Sequence, residues 1–248
     1  MLALVLSFFG VALLYATVGF GGGSSYIALL AVNQIPYTLI PKISLLCNLL
    51  VVINGAYLFH RRGHVRWDLA LPLVCSSVPF SILGGLYPIQ EHTFLILLSS
   101  CLLLAGVRIL FIKNSLKLAP SNSPGKLALV LTGAFLGALS GMVGIGGGIF
   151  LSPVMLNLNW ARAKEVAAIS SLFILLNSIG GLGGQIVKSP DFPSLNHYFI
   201  LFLAVILGGQ LGSRIGTHSK IPHLWIQRGT GVLILMVSGR LFLKLFRV

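Results

Sequence analysis

Apolar residues fill long stretches of this chain and polar residues gather in the short intervals between them. Eight apolar segments can be drawn, at about 2–32, 42–60, 67–87, 93–113, 126–157, 165–187, 195–213 and 224–246. Six have the length, roughly 17–25 residues, that carries an α-helix across a hydrocarbon core of about 30 Å. The first and fifth are too long for one straight crossing, reaching roughly 45 Å at a rise of 1.5 Å per residue. Each contains a glycine cluster, "VGFGGGSS" from Val18 to Ser25 and "VGIGGGIF" from Val143 to Phe150. Both are therefore expected to be broken or re-entrant, two helical pieces joined by unwound backbone.

The segments also repeat. "KISLL" at Lys42 precedes a segment like the one holding "AISSL" at Ala168, "ILGGL" at Ile82 matches "ILGGQLG" at Ile206, and "GVRILF" at Gly106 resembles "SGRLFL" at Ser238. With the two glycine clusters, these matches fall in one order and predict a duplication of four segments. The fold class expected is an all-α polytopic membrane protein, a single domain over 1–248. Its repeats cover about 1–113 and 126–248, and a Pro-, Ser- and Asn-containing linker at 114–125 joins them. If all eight segments cross, starting inside, the cations at 214–228 fall outside; if the first and fifth are re-entrant, the halves become inverted and the basic tail falls outside. The loop cations divide almost evenly between these arrangements. The inverted repeat, common among carriers with broken helices, is the working expectation.

Composition agrees with a membrane chain. Of 248 residues, 56% are hydrophobic and 8% charged, where a soluble domain carries about 25% charge. The net charge of +13 lies in short clusters between apolar segments rather than on one basic face, so nucleic acid is not an expected partner and the lipid bilayer is. The first 18 residues lack a basic leader and are read as mature structure. The four acids, Asp68, Glu91, Glu165 and Asp191, all lie at or near segment ends. Carriers of protons and cations commonly place carboxylates at mid-membrane, so this distribution favours an anion or a neutral solute.

The glycine clusters are the first candidates for a site. Unwound backbone leaves N–H and C=O groups in need of partners, glycine lets a solute approach that backbone, and each following helix presents its first amides and positive dipole end to the break. Such geometry suits an oxyanion. The expected binding groups are Gly19, Gly21, Gly22 and Gly23 with the hydroxyls of Ser24 and Ser25, and Gly144, Gly146, Gly147 and Gly148. The competing reading is that these glycines only allow tight helix crossing; two copies, each splitting an overlong segment, shift the balance towards a site. Neither copy sits between a strand and a soluble helix, which excludes a dinucleotide fingerprint.

The segments after the breaks add Ser44, Cys47 and Asn48, and Ser170 and Asn177, placed at helical spacing to share a face. Their alternative role is hydrogen bonding between helices. Lys42 is expected either to attract an incoming anion or to snorkel to the interface, and Arg108 and Arg240 to be anchors. Cys47, Cys75 and Cys101 have no metal or CxxC spacing, and the six histidines scatter among the connections, so no metal and no cofactor is expected. No nucleophile, base and orienting acid come together, so no catalytic residues and no enzyme are expected.

Paired motifs "VGFGGGSS" and "GMVGIGGGIFLSPVML", each opening a similar four-segment half, resemble the TauE/SafE family of sulfite and organosulfonate exporters over nearly the whole chain. The resemblance implies transport of small sulfur-containing anions such as sulfite, thiosulfate or sulfonates across a bacterial cytoplasmic membrane. It carries over only to Gly19, Gly21 to Gly23, Gly144 and Gly146 to Gly148. The first copy departs from the pattern in having Ser24 and Ser25 and no following proline where the second has Pro153. It also brings forward Cys47 as a group that could approach a sulfur substrate. An anion channel and a membrane assembly subunit without transport are the alternatives to a carrier; oligomeric state, direction and coupling ion are left open.

Overall fold

The computed structural model describes residues 2–17, 19–111, 124–190 and 195–218, with 232, 235, 236, 238, 239 and 242. Among them are nine helices of ten residues or more and no strand: α1 (Leu2–Thr17), α2 (Gly23–Val32), α3 (Ile40–Arg61), α4 (Trp67–Leu86), α5 (Glu91–Phe111), α6 (Lys126–Val143), α7 (Gly148–Asn157), α8 (Ala163–Lys188) and α9 (Leu195–His218). Five, within α3, α4, α6, α8 and α9, are long and apolar enough to cross a membrane. Seven of the apolar segments coincide with these helices, the first and fifth each as a pair. Most of the eighth segment, Arg240 and nearly all of the 114–125 linker lie outside the described residues.

Local chemistry sets the helix ends. Pro41 opens α3, where its missing N–H costs nothing. The chain leaves α3 through Gly63 at φ 67°, and Arg66 then ion-pairs with Asp68 in the first turn of α4 at 2.5 Å. The Glu165 carboxylate accepts from the Arg162 amide at 2.9 Å, capping the start of α8. Between α1 and α2, and between α6 and α7, the chain unwinds. Gly22 and Gly147 stand immediately before the new helices at φ 84° and 79°, a left-handed conformation that costs any residue with a Cβ.

Helix directions follow from the contacts of small residues. Gly133, Gly137 and Gly141 of α6 lie against the backbones of Leu73, Ser77 and Ser81 of α4, so these helices run parallel, in steps of four, with backbones in direct contact. Gly208 and Gly212 of α9 meet the carbonyls of Phe9 and Leu13 of α1, a second parallel pair. Gly180 and Gly184 face Ser81 and Ile82, which sets α8 parallel to α4. Val51 beside Gly209 and Asn54 bonded to Ser213 at 3.1 Å make α3 parallel to α9. By contrast α3 and α8 are antiparallel: Lys42 at the start of α3 bonds to Ser189 after the end of α8, and Leu45 packs on Gly181. Thus α1, α3 and α9 run one way and α4, α6 and α8 the other.

A large apolar core joins α1, α2, α3 and α5 with α9, and a second joins α4, α6, α7 and α8. Many large apolar side chains also face outward, among them Leu2, Leu71, Leu104, Leu127, Phe135 and Val187. An outward apolar surface of this kind is what lipid requires.

Candidate site at the paired helix breaks

The two breaks meet on α3. Ser44 and Asn48, one turn apart and fully buried, reach both. The Ser44 hydroxyl lies 2.8 Å from the Gly144 carbonyl and 3.2 Å from that of Gly23, and Asn48 Nδ2 donates to the Ile145 carbonyl at 3.0 Å. Gly21 and Gly23 lie so close to Asn48 that a methyl group on either would overlap its amide. A methyl on Gly146 would stand 2.7 Å from Asn48 Nδ2 and 3.0 Å from Ile174 Cγ2, while one on Gly21 would stand 3.2 Å from the same Ile174 carbon. Asn48 and Ile174 therefore face each other, with a glycine of each break alongside both.

The surrounding contacts cross over in the same way. Gly19 packs on Ala167 near the start of α8, and Gly144 packs on Pro41 in the first turn of α3. Gly23 begins α2 beside Asn48, and Gly148 begins α7 beside Ile174. Since α2 leads into α3 and α7 into α8, and α3 and α8 are antiparallel, these ten-residue helices point away from one region toward opposite faces of the molecule. Ser25 and Tyr26 donate to the Gly22 carbonyl, and Phe150 and Leu151 to that of Gly147. The first two amides of each helix, those of Gly23 and Ser24 and of Gly148 and Ile149, therefore remain without a helical acceptor, and they converge there with the two positive dipole ends.

Several buried polar atoms beside the breaks have no hydrogen-bonding protein partner: Asn48 Oδ1, Ser178 Oγ and, one turn of α8 away from Ile174, Asn177 Oδ1. The centre is neutral, is built from broken helices inside an apolar bundle, and holds buried polar atoms to spare. A model of the sulfite exporter TauE/SafE family matches residues 4–241 of the chain. The chain belongs to the TauE/SafE family.

Relatives agree with that placement. A probable membrane transporter protein of Sinorhizobium fredii is 34% identical over 241 residues, covering 96% of each chain. One of Methanocaldococcus jannaschii is 27% identical, covering 71% of this chain and 70% of its own. One of Haemophilus influenzae is 25% identical, covering 91% and 92%. No solved structure matched the chain. This TauE/SafE chain is a multi-pass membrane protein, and its family and relatives are those of membrane transporters rather than enzymes.

Not every residue expected at the TauE/SafE site stands at the meeting point. Gly21, Gly23, Ser44, Asn48, Gly144, Gly146 and Gly148 do. Ser170 shares a 2.7 Å hydrogen bond with Ser152, which donates to the Gly148 carbonyl at 3.0 Å, so it reaches the second break through an intermediary. Asn177 donates to Ser77 of α4 and to the Phe173 carbonyl, both at 2.8 Å. Ser24 and Ser25 turn to α1, where the Tyr15 hydroxyl lies 3.5 and 2.8 Å away. Gly19, Gly22 and Gly147 carry the turns and pack on Phe59, Val11 and Phe173. Cys47 is buried in the apolar core that includes Tyr26 and Val51. Lys42 is fully buried; Nζ donates to the Ser189 carbonyl at 2.6 Å, a cation at the negative end of α8. Among the described residues no group of His, Cys, Asp or Glu is placed to hold a metal.

The sequence reading missed Ile174, Ser178, Ser152 and Gln185, whose Nε2 donates to the Gly141 carbonyl at 2.8 Å. Ser178 and Ile174 lie next to, and one turn before, the Asn177 that was singled out. Gln185 is a buried amide in an otherwise apolar helix, and that alone was a usable signal.

Proposed function

We propose that this protein is a carrier of small sulfur-containing oxyanions, such as sulfite, thiosulfate or sulfonates, in the cytoplasmic membrane of a bacterium. The observation that carries the proposal is the convergence of α2 and α7, through Gly21, Gly23, Gly146 and Gly148, on Asn48 and Ile174. Backbone amides and two positive dipole ends supply donors and a weak positive potential without a full charge, which suits an anion that must be bound and then released. The matched family's description as a sulfite exporter supports the choice of substrate.

The pairing of helices supports an inverted repeat. By sequence, α1 corresponds to α6, α3 to α8 and α4 to α9, and in each pair the members run in opposite directions. In this reading α1–α2 and α6–α7 are re-entrant hairpins whose tips meet at the centre. Rocking of the elements on either side of Asn48 and Ile174 exposes the centre to one face and then the other.

Purified protein in liposomes, loaded in turn with radiolabelled sulfite, thiosulfate and a sulfonate, tests this directly. Saturable flux with counterflow of at least one is the expected result. Indifference to every sulfur oxyanion overturns the substrate class, and unitary currents without counterflow overturn the carrier in favour of a channel.

A further inference from the structure

One atom at the centre has the opposite polarity to what an anion needs. Asn48 is fully buried, its Nδ2 donates to the Ile145 carbonyl at 3.0 Å, and its Oδ1 has no hydrogen-bonding protein partner. The amide cannot be turned round without setting its oxygen against the Ile145 oxygen, so Oδ1 remains on the Gly21 side. Ser178 Oγ, also buried and unpartnered, lies 3.3 Å from where a methyl on Gly146 would be. Opposite them, Ile174 offers only hydrocarbon. A fully deprotonated oxyanion brings acceptors alone: it can use the amides of α2 and α7, but it meets Asn48 Oδ1 oxygen to oxygen. An oxyanion that carries its own donor hydrogen satisfies both kinds of partner, and a site built to bond a substrate O–H or N–H rejects the analogue lacking it.

We infer that Asn48 Oδ1 is a specificity-determining acceptor, which selects oxyanions bearing a donor hydrogen. Sulfite is then carried as its monoprotonated anion rather than as the dianion, and hydroxylated sulfonates are preferred to plain alkyl ones. This inference rests on the reading of the centre as an anion site and adds the role of one residue.

Two sulfonates of equal charge and nearly equal size separate the ideas: hydroxymethanesulfonate, which has an O–H donor, and ethanesulfonate, which has a methyl in its place. Initial exchange rates are measured in proteoliposomes with the same pH on both sides. The hydroxylated anion is expected to exchange about ten- to a hundred-fold faster at low concentration, the range that an unpaired buried acceptor produces. In Asn48→Leu, which keeps the bulk and removes the acceptor, the ratio is expected to fall to within about threefold of one. A ratio near one in the unaltered protein overturns the inference, and so does a folded Asn48→Leu that keeps the original ratio. If the variant does not fold, the ratio in the unaltered protein still decides. Where sulfite is carried and neither sulfonate is, sulfite exchange at fixed total concentration decides instead. A fall with the monoprotonated form as pH rises supports the inference, and a flat or rising profile overturns it. If no sulfur oxyanion exchanges at all, it is the proposed function that fails.

Discussion

Gly147→Ala is the sharpest test of the broken helices, because two independent penalties act at one position. Gly147 stands at φ 79° before the first turn of α7, and holding an L-residue there costs about 1–2 kcal/mol. A methyl group would also stand 2.7 Å from Phe173 Cε1, and Phe173 is fully buried in the second apolar core, where overpacking costs about 1–3 kcal/mol. Alanine recovers about 0.4–1 kcal/mol by restricting the unfolded chain, leaving a net loss of about 1–5 kcal/mol. Gly183 is the matched control: it lies inside α8, is exposed, and has nothing within 4 Å of an added methyl, so alanine there gains about 0.5–1 kcal/mol. In a Cys75→Ser background, which removes the exposed thiol, a fluorogenic thiol dye reads unfolding in detergent, since Cys47 and Cys101 are buried and become reactive only when the fold opens. Gly147→Ala is expected to lower the midpoint by roughly 2–20 °C and Gly183→Ala to raise it by roughly 1–4 °C, taking about 2–4 °C per kcal/mol. A Gly147→Ala midpoint at or above that of the unaltered protein would refute the break geometry.

Other substitutions probe other contacts. Gly137→Leu drives a side chain into the Ser77 backbone across the α4–α6 contact; since a main chain cannot step aside as a flexible side chain can, the folded yield by size-exclusion chromatography is expected to collapse, while Gly125→Ala, in open space, leaves it unchanged. Cys47→Ala removes a buried thiol from the apolar core, so it should cost about 1 kcal/mol of stability and leave flux within about twofold; a loss of flux with a normal midpoint would return Cys47 to the substrate. Asp68→Asn breaks an exposed ion pair with Arg66 and should change stability by less than about 1 kcal/mol, measured as a midpoint shift that vanishes in high salt.

Positions of the spans and of both breaks were legible in the sequence, because apolar length and glycine clustering are local properties. Which residues would meet at the breaks was legible only in part. Ser44 and Asn48 were singled out from their shared face, and they do sit between the two motifs. Ile174 was passed over because nothing in the sequence separates an isoleucine that lies between two helix breaks from any other core isoleucine. Ser24 and Ser25 read as donors for a solute because the partner that takes them, Tyr15, lies on the far side of the break. Lys42 was assigned to an interface or an anion because its acceptor, Ser189, is 147 residues away. The glycine ladder at 133, 137 and 141 was readable as a four-residue repeat, but its partner on α4 was not. Contacts between elements distant in sequence are set by topology, and no single segment encodes them.

The parallel seams of α1 with α9 and of α4 with α6 also bear on how the chain is made. During synthesis α1 is complete almost 200 residues before Gly208 and Gly212 exist to receive Phe9 and Leu13. Until then its apolar side has lipid or the insertion machinery for company, and α1 cannot take its final place. Domains ordinarily fold as units as they emerge; here the helices before and after the linker cannot close separately, because α1 packs on α9 and α6 on α4. The chain must wait for its second half before it has a first one.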